Sequence, residues 1–285
     1  MMSNPENRIL TLLYSSGQTL LSKPGKRQAA IVTKQRALQT QFYEYGIGIF
    51  TQLDSYQGEG DELWLLMEPT LEQADTITMV AHGIEHCYFA NSHPSAAVTE
   101  QNIALCEAAG IAVIHGNHDA IKALNRGLYH LIRYKRPWIS SLLAMAPDGT
   151  INPTIPYDKT GFFAHWAKRF DVLFIPAEHR GNPLERMFNT VYVAQDSHGL
   201  TLSQGQEKRQ LAEIPSSQFT TWLAQWSMEK GFSEICLDGL PTLTQEVKAQ
   251  AMIDESRTLL NGETGSQYHP LGSAMMQTTA YEVAS

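Results

Sequence analysis

The chain has 285 residues, of which 43% are hydrophobic and 18% charged, and its formal net charge is −8. That length can bury a sizeable core, and the acidic balance argues against a nucleic-acid or anionic-membrane surface as the main partner. Cys87, Cys106 and Cys236 are too widely spaced for a C-x-x-C metal site and too few for a disulfide framework. No signal-like N-terminus and no uninterrupted apolar stretch of about 20 residues is present, so the expectation is a cytoplasmic, unanchored protein.

In chain order, Ile9-Leu10-Thr11-Leu12-Leu13-Tyr14 and Thr19-Leu20-Leu21 flank Ser15-Ser16-Gly17, a strand-turn-strand signal. Ala29-Ala30-Ile31-Val32 reads as a third strand or as a helix start. Glu62 to Glu68, bounded by Gly60-Asp61 and Pro69, predicts a buried strand. Leu71 to Phe89 lacks proline and opens after Thr70 with the acidic Glu72, which predicts a helix. Thr99 to Ala109 predicts a helix stopped by Gly110, followed by a strand at Ile111-Ala112-Val113-Ile114. Phe162, Trp166, Phe170 and Leu173 recur at helical spacing, and Leu184 to Val193 reads as helix or strand. Ser217 to Lys230 and Thr244 to Leu260 predict amphipathic helices ended by Gly231 and Gly262, with Phe219, Trp222, Leu223 and Trp226 as core. The sum is an α+β fold, a sheet flanked by helices, in one domain over 1–262 with a loosely ordered tail, 263–285.

The densest chemistry lies at His82-Gly83-Ile84-Glu85-His86, an H-x-x-E-H pentad. On a helix, residues i and i+4 lie one above the other, so His82 and His86 could offer two imidazoles to one Zn2+, with Glu85 on the same side as general base. The alternative is a solvated helix face. A third ligand has to come from elsewhere in the chain.

The residues around the pentad resemble the pitrilysin and insulysin zinc metallopeptidases, the inverzincins. Ala81 precedes His82, Phe89 follows His86, and Asn91-Ser92-His93-Pro94 matches the turn to proline. The nearest flavour is the peptidase branch associated with pyrroloquinoline quinone biosynthesis. The resemblance implies one repeat of the pitrilysin-type fold and hydrolysis of a peptide or small-protein substrate by zinc-bound water activated by Glu85. It also implies a second repeat-like subunit, as a homo- or hetero-oligomer. The family's zinc-binding glutamate falls here on Asn189 or Ala194, neither a strong ligand, so Glu185 is the substitute and Glu178 stands behind it. That departure keeps open a catalytically inactive subunit that holds a peptide or partner.

Gly116-Asn117-His118-Asp119, after Ile111 to His115, resembles the G-N-H-D of calcineurin-like metallophosphoesterases. The D-x-H and G-D-x-x-D that such enzymes need are missing, and a turn is the favoured reading.

Overall fold

The computed structural model describes residues 5–20, 27–44, 47–145, 151–152, 167, 169–181, 189–204, 209–261 and 268–275. No helix among the described residues is long and apolar enough to cross a membrane. The sequence pattern predicts one domain over 1–262, whereas the contacts divide the chain into two compact units, Met1–Arg133 and Tyr134–Ser285, each with its own sheet.

The first unit opens with α1 (Pro5–Thr19), not with the predicted strand pair. Pro5 and Glu6 suit a first helical turn, where a missing N–H costs nothing and an acidic side chain meets the positive end of the helix. Ile9, Leu13, Ser16 and Gly17 are then buried along one face. The unit continues through β1 (Ala29–Lys34), β2 (Ala37–Tyr43), α2 (Ile49–Asp54), β3 (Glu62–Leu65) and α3 (Gln73–Ala81). It proceeds through β4 (His86–Phe89), α4 (Ala96–Ala108), β5 (Ala112–His115) and α5 (Asp119–Lys122) to α6 (Arg126–Tyr134), in which the boundary falls.

The five-stranded sheet runs β2-β1-β3-β4-β5, with β1 antiparallel to both neighbours and β3, β4 and β5 parallel. Parallel strands are buried on both faces. One face packs Leu63, Leu65, Cys87 and Phe89 against Leu53, Met79 and Cys106 of the helices, and the other packs Ile31 and Trp64 against Ile9 and Leu13 of α1.

The second unit contains β6 (Trp138–Met145), β7 (Ile151–Asn152), β8 (Val172–Pro176), β9 (Thr190–Gln195), β10 (Leu200–Gln204) and β11 (Arg209–Ile214). After α7 (Phe219–Lys230) come β12 (Glu234–Asp238), α8 (Pro241–Ala249), β13 (Glu255–Asn261) and β14 (Tyr268–Met275). The strand order is β11-β10-β9-β8-β12-β6-β13-β14, with β7 beside β6. The middle, β9-β8-β12-β6-β13, is parallel.

Phe219, Leu223 and Trp226 of α7 are core as predicted, with Trp222 packed against them and all three rings around Phe174. The predicted long helix over 244–260 is instead the short α8 followed by β13, and β14 lies within the segment expected to be loose. Leu173 belongs to β8 rather than to a helix, while Phe162 and Trp166 lie outside the described residues.

Candidate functional site

The pentad is not helical. His82 caps α3, Gly83 turns the chain with φ +76°, and His86 opens β4. The stop is a Schellman motif: Ile84 N–H donates to Met79 O (3.0 Å) and Gly83 N–H to Val80 O (3.0 Å). Met79 and Ile84 are buried in the same core, the apolar contact that accompanies this cap.

The imidazoles are therefore not stacked one turn apart. His82 sets Nδ1 3.1 Å from Gly58 O and lies against the Tyr56 ring, whereas His86 shares a strand face with Tyr88. Glu85 is exposed, its N–H donating to Asp61 O and its carbonyl accepting from Ala112 N–H. Glu178 sits in the second unit on the turn Ala177–His179, and Glu185 lies outside the described residues. Asn189 precedes β9 and accepts from Gln204, and Ala194 is exposed on β9. Among the described residues, no group of three or more His, Cys, Asp or Glu is placed to hold a metal ion.

Gly116-Asn117-His118-Asp119 is a structural turn between β5 and α5. Asn91 locks it, accepting from His118 N–H (3.0 Å) and donating to His118 O (3.3 Å). A Cβ on Gly116 would lie 3.0 Å from Ala90 O and 2.8 Å from the His118 ring, so the glycine answers a close approach. His115 Nε2 lies 3.2 Å from the buried Glu68, which also accepts from His93 N–H, Thr99 and Asn102. Burial works to raise the Glu68 pKa, but these hydrogen bonds and the His115 charge outweigh it and hold the carboxyl below its ordinary value.

One cleft and one strand edge stand where α/β sheets place ligands. In the first unit, a cleft of about 210 Å³ opens beyond the end of β3. Its lining includes Gln28, Glu44, Gly48 to Thr51 at the start of α2, Pro69, Thr70 and Asp75. Gln28 is spent on the backbone of Met67, as donor to its O (2.6 Å) and acceptor from its N (3.1 Å). Burial pushes the half-buried Asp75 carboxyl up.

In the second unit the decisive feature is topological. β8 and β12 are parallel neighbours, but the chain leaves β8 toward β9 on one side and leaves β12 toward β13 on the other. Ligands of open α/β sheets bind beyond the carboxyl ends of such a strand pair, where the two connections part. Here β12 ends at the buried Asp238, Gly239 takes φ +64°, and α8 begins with Pro241 at its first turn. A glycine turn from a strand into a helix N-terminus presents backbone N–H groups and a positive dipole end to an anion. Just past the end of β8, Arg180 donates to Ser203 Oγ (2.6 Å) with its guanidinium 4.7 Å above the Tyr192 ring. Neither place carries a cluster of reactive side chains that sequence spacing would mark.

Solved structures show the same fold over nearly the whole chain. Two structures of Acinetobacter baumannii RibD, form 1 and form 2, superimpose with TM-scores of 0.69 and 0.70 at 15% and 16% identity, covering 92% of this chain and 88% of theirs. A Thermotoga maritima diaminohydroxyphosphoribosylaminopyrimidine deaminase/5-amino-6-(5-phosphoribosylamino)uracil reductase does so at 0.67 and 13%, over 91% of this chain and 87% of its own. No family model and no curated protein sequence matches.

The likeness is one of fold. It overturns the pitrilysin-type resemblance and, with it, peptide hydrolysis by Glu85 and the phosphoesterase alternative: the chain has two sheets flanked by helices and shares the fold of those solved structures, not that of one repeat of a metallopeptidase. The H-x-x-E-H spacing runs across a helix end, a turn and a strand start rather than along one helix.

Proposed function

We propose that the chain is an oxidoreductase whose second unit binds a nicotinamide dinucleotide where β8 and β12 part, and that its substrate is a phosphorylated ribosylamino-pyrimidine or a close relative. The observation that carries this reading is the turn from β12 through Gly239 into α8, at the carboxyl ends of parallel strands whose connections diverge. The substrate class comes from the Thermotoga maritima protein, named in part as a 5-amino-6-(5-phosphoribosylamino)uracil reductase.

The residues present fit such a cofactor. Backbone N–H groups of Leu240 and Thr242 would hold a phosphate at the start of α8, and Gly239 leaves the backbone open to close approach. Arg180 would supply a positive charge from the neighbouring strand end, its planar fork suited to phosphate. A nicotinamide, once bound, supplies a hydride. The aromatic core beneath, Phe174 with Phe219, Trp222 and Trp226, fixes the strand that presents this edge.

Isothermal titration of the whole chain with NADPH and NADH tests the reading. Saturable binding of one dinucleotide is expected. Gly239→Val, a β-branched residue at positive φ, should weaken it by about 100-fold or more. Arg180→Ala removes a charge-assisted contact of about 1.5–3 kcal/mol and should cost about 10- to 100-fold. Absence of saturable binding of either dinucleotide up to millimolar concentration by the unmutated chain would sink the proposal.

A further inference from the structure

We infer that the first unit is a zinc-free member of this fold, and that the cleft between β3 and the helices performs no metal-activated deamination. The inference stands apart from the dinucleotide reading, because it concerns the other unit.

Zinc deaminases hold Zn2+ through one histidine and two cysteines, or three cysteines, use a glutamate to move the proton, and carry these as H-x-E and P-C-x-x-C. Neither string occurs anywhere in the 285 residues. The cleft shows where the loss falls. Pro69 lines it, but Thr70 and Gln73 stand where P-C-x-x-C puts its cysteines. At the other helix facing the cleft, Gly48-Ile49-Phe50 offers no side chain that binds a metal or carries a proton.

No thiol or imidazole of the unit is among the residues that line the cleft. Cys87 and Cys106 are buried in the core, where burial pushes the first thiol far up and the second up to about 11, so neither is a thiolate at neutral pH. His82 faces Gly58, His93 Nδ1 accepts from Ser95 N–H, His115 lies on Glu68, and none of them lines the cleft. What the described lining offers is the carboxylates Glu44 and Asp75 and the hydroxyls Thr51 and Thr70. Two carboxylates with alcohols are a poor match to a soft-donor tetrahedral zinc site.

The test is elemental analysis of the untagged full chain after dialysis against a micromolar zinc salt, with ammonia release from cytidine and deoxycytidine monophosphate assayed alongside. The expected result is less than about 0.1 zinc per chain attributable to the cleft and no ammonia above background. Stoichiometric zinc that disappears in Glu44→Gln or Asp75→Asn, or zinc-dependent ammonia release, would overturn the inference. Zinc retained by both variants, without ammonia release, would lie outside the cleft and agree with it. Circular dichroism of each variant, matched to the unmutated chain, separates lost metal from lost fold.

Discussion

Each unit offers an edge at the end of parallel strands, yet the two edges are made of different things. In the first, the edge beyond β3 needs particular side chains to do zinc chemistry, and Thr70, Gln73 and Gly48-Ile49-Phe50 do not supply them. In the second, the edge proposed beyond β8 and β12 is a matter of backbone, a glycine turn and a helix N-terminus, and these are present. A site made of side chains is lost by a few substitutions that leave the fold standing, whereas a site made of topology lasts as long as the sheet does. That is why fold carries over at 13–16% identity and chemistry does not follow from it.

The units can be compared through the buried carboxylate that braces each. In the second, Asp254 is fully buried, takes two hydrogen bonds from Arg136 (2.8 and 3.0 Å) and accepts Ile139 N–H (2.9 Å), tying the start of β6 to the residues before β13. Asp254→Ala leaves Arg136 without this partner and should cost about 3–5 kcal/mol. Hydrogen exchange read peptide by peptide should show faster exchange over 134–261 with 27–125 unchanged. Equal acceleration in both would mean that the chain unfolds as one cooperative body.

In the first unit the brace is Glu68, and Glu68→Gln should cost about 2–3 kcal/mol by weakening its charge-assisted bonds to His93, Thr99 and Asn102. Its folded pKa is held below the ordinary 4.5. A carboxyl with a depressed folded pKa contributes stability that is complete above its unfolded pKa and is lost as pH falls through the folded one. Below about pH 4.5 the first unit should therefore weaken. Trp64 is the one tryptophan of residues 1–133, so introducing Trp→Phe at the others makes its fluorescence a reporter of that unit. Acid titration of this background should show a drop in stability that Glu68→Gln flattens; an identical acid profile in the variant would remove Glu68 as the cause.

How much of this was legible in the sequence depends on how each element stops. The buried strand over 62–65, the helix ended by Gly110 and the helix ended by Gly231 were readable, because apolar runs and a terminal glycine agree there. The pentad differs from its expected helix because the proline-free stretch 71–89 holds two periods: Gly83 and the β-type run Cys87-Tyr88-Phe89 break it. At the N-terminus the apolar run hid a helical face, Ile9, Leu13, Ser16 and Gly17, which only burial singles out. The cleft and the edge proposed for the dinucleotide are not legible as sites: one is marked by residues that are absent, the other by strand order, which local pattern does not contain.

The helix over 244–260 failed for a reason that can be measured. Four helices end on one geometry: Ile84, Ile111, Phe232 and Met252 donate back to Met79, Cys106, Ser227 and Val247, and Gly83, Gly110, Gly231 and Ala251 hold the left-handed turn. Three of the four are glycine; the last is Ala251 at φ 55°, so the expected stop signal is missing while the stop itself is present. A left-handed non-glycine residue costs about 1–2 kcal/mol, and glycine gives back about 0.5–1 kcal/mol of that in chain entropy. Ala251→Gly should therefore stabilise the second unit by about 0.5–1 kcal/mol. Gly110→Ala is its mirror in the first: a Cβ there meets nothing within 4 Å, so the expected loss of about 1 kcal/mol is conformational alone. Urea denaturation of the two variants should give midpoint shifts of opposite sign with unchanged slopes. A downward shift for Ala251→Gly would show that the Ala251 side chain contributes packing worth more than the strain it imposes.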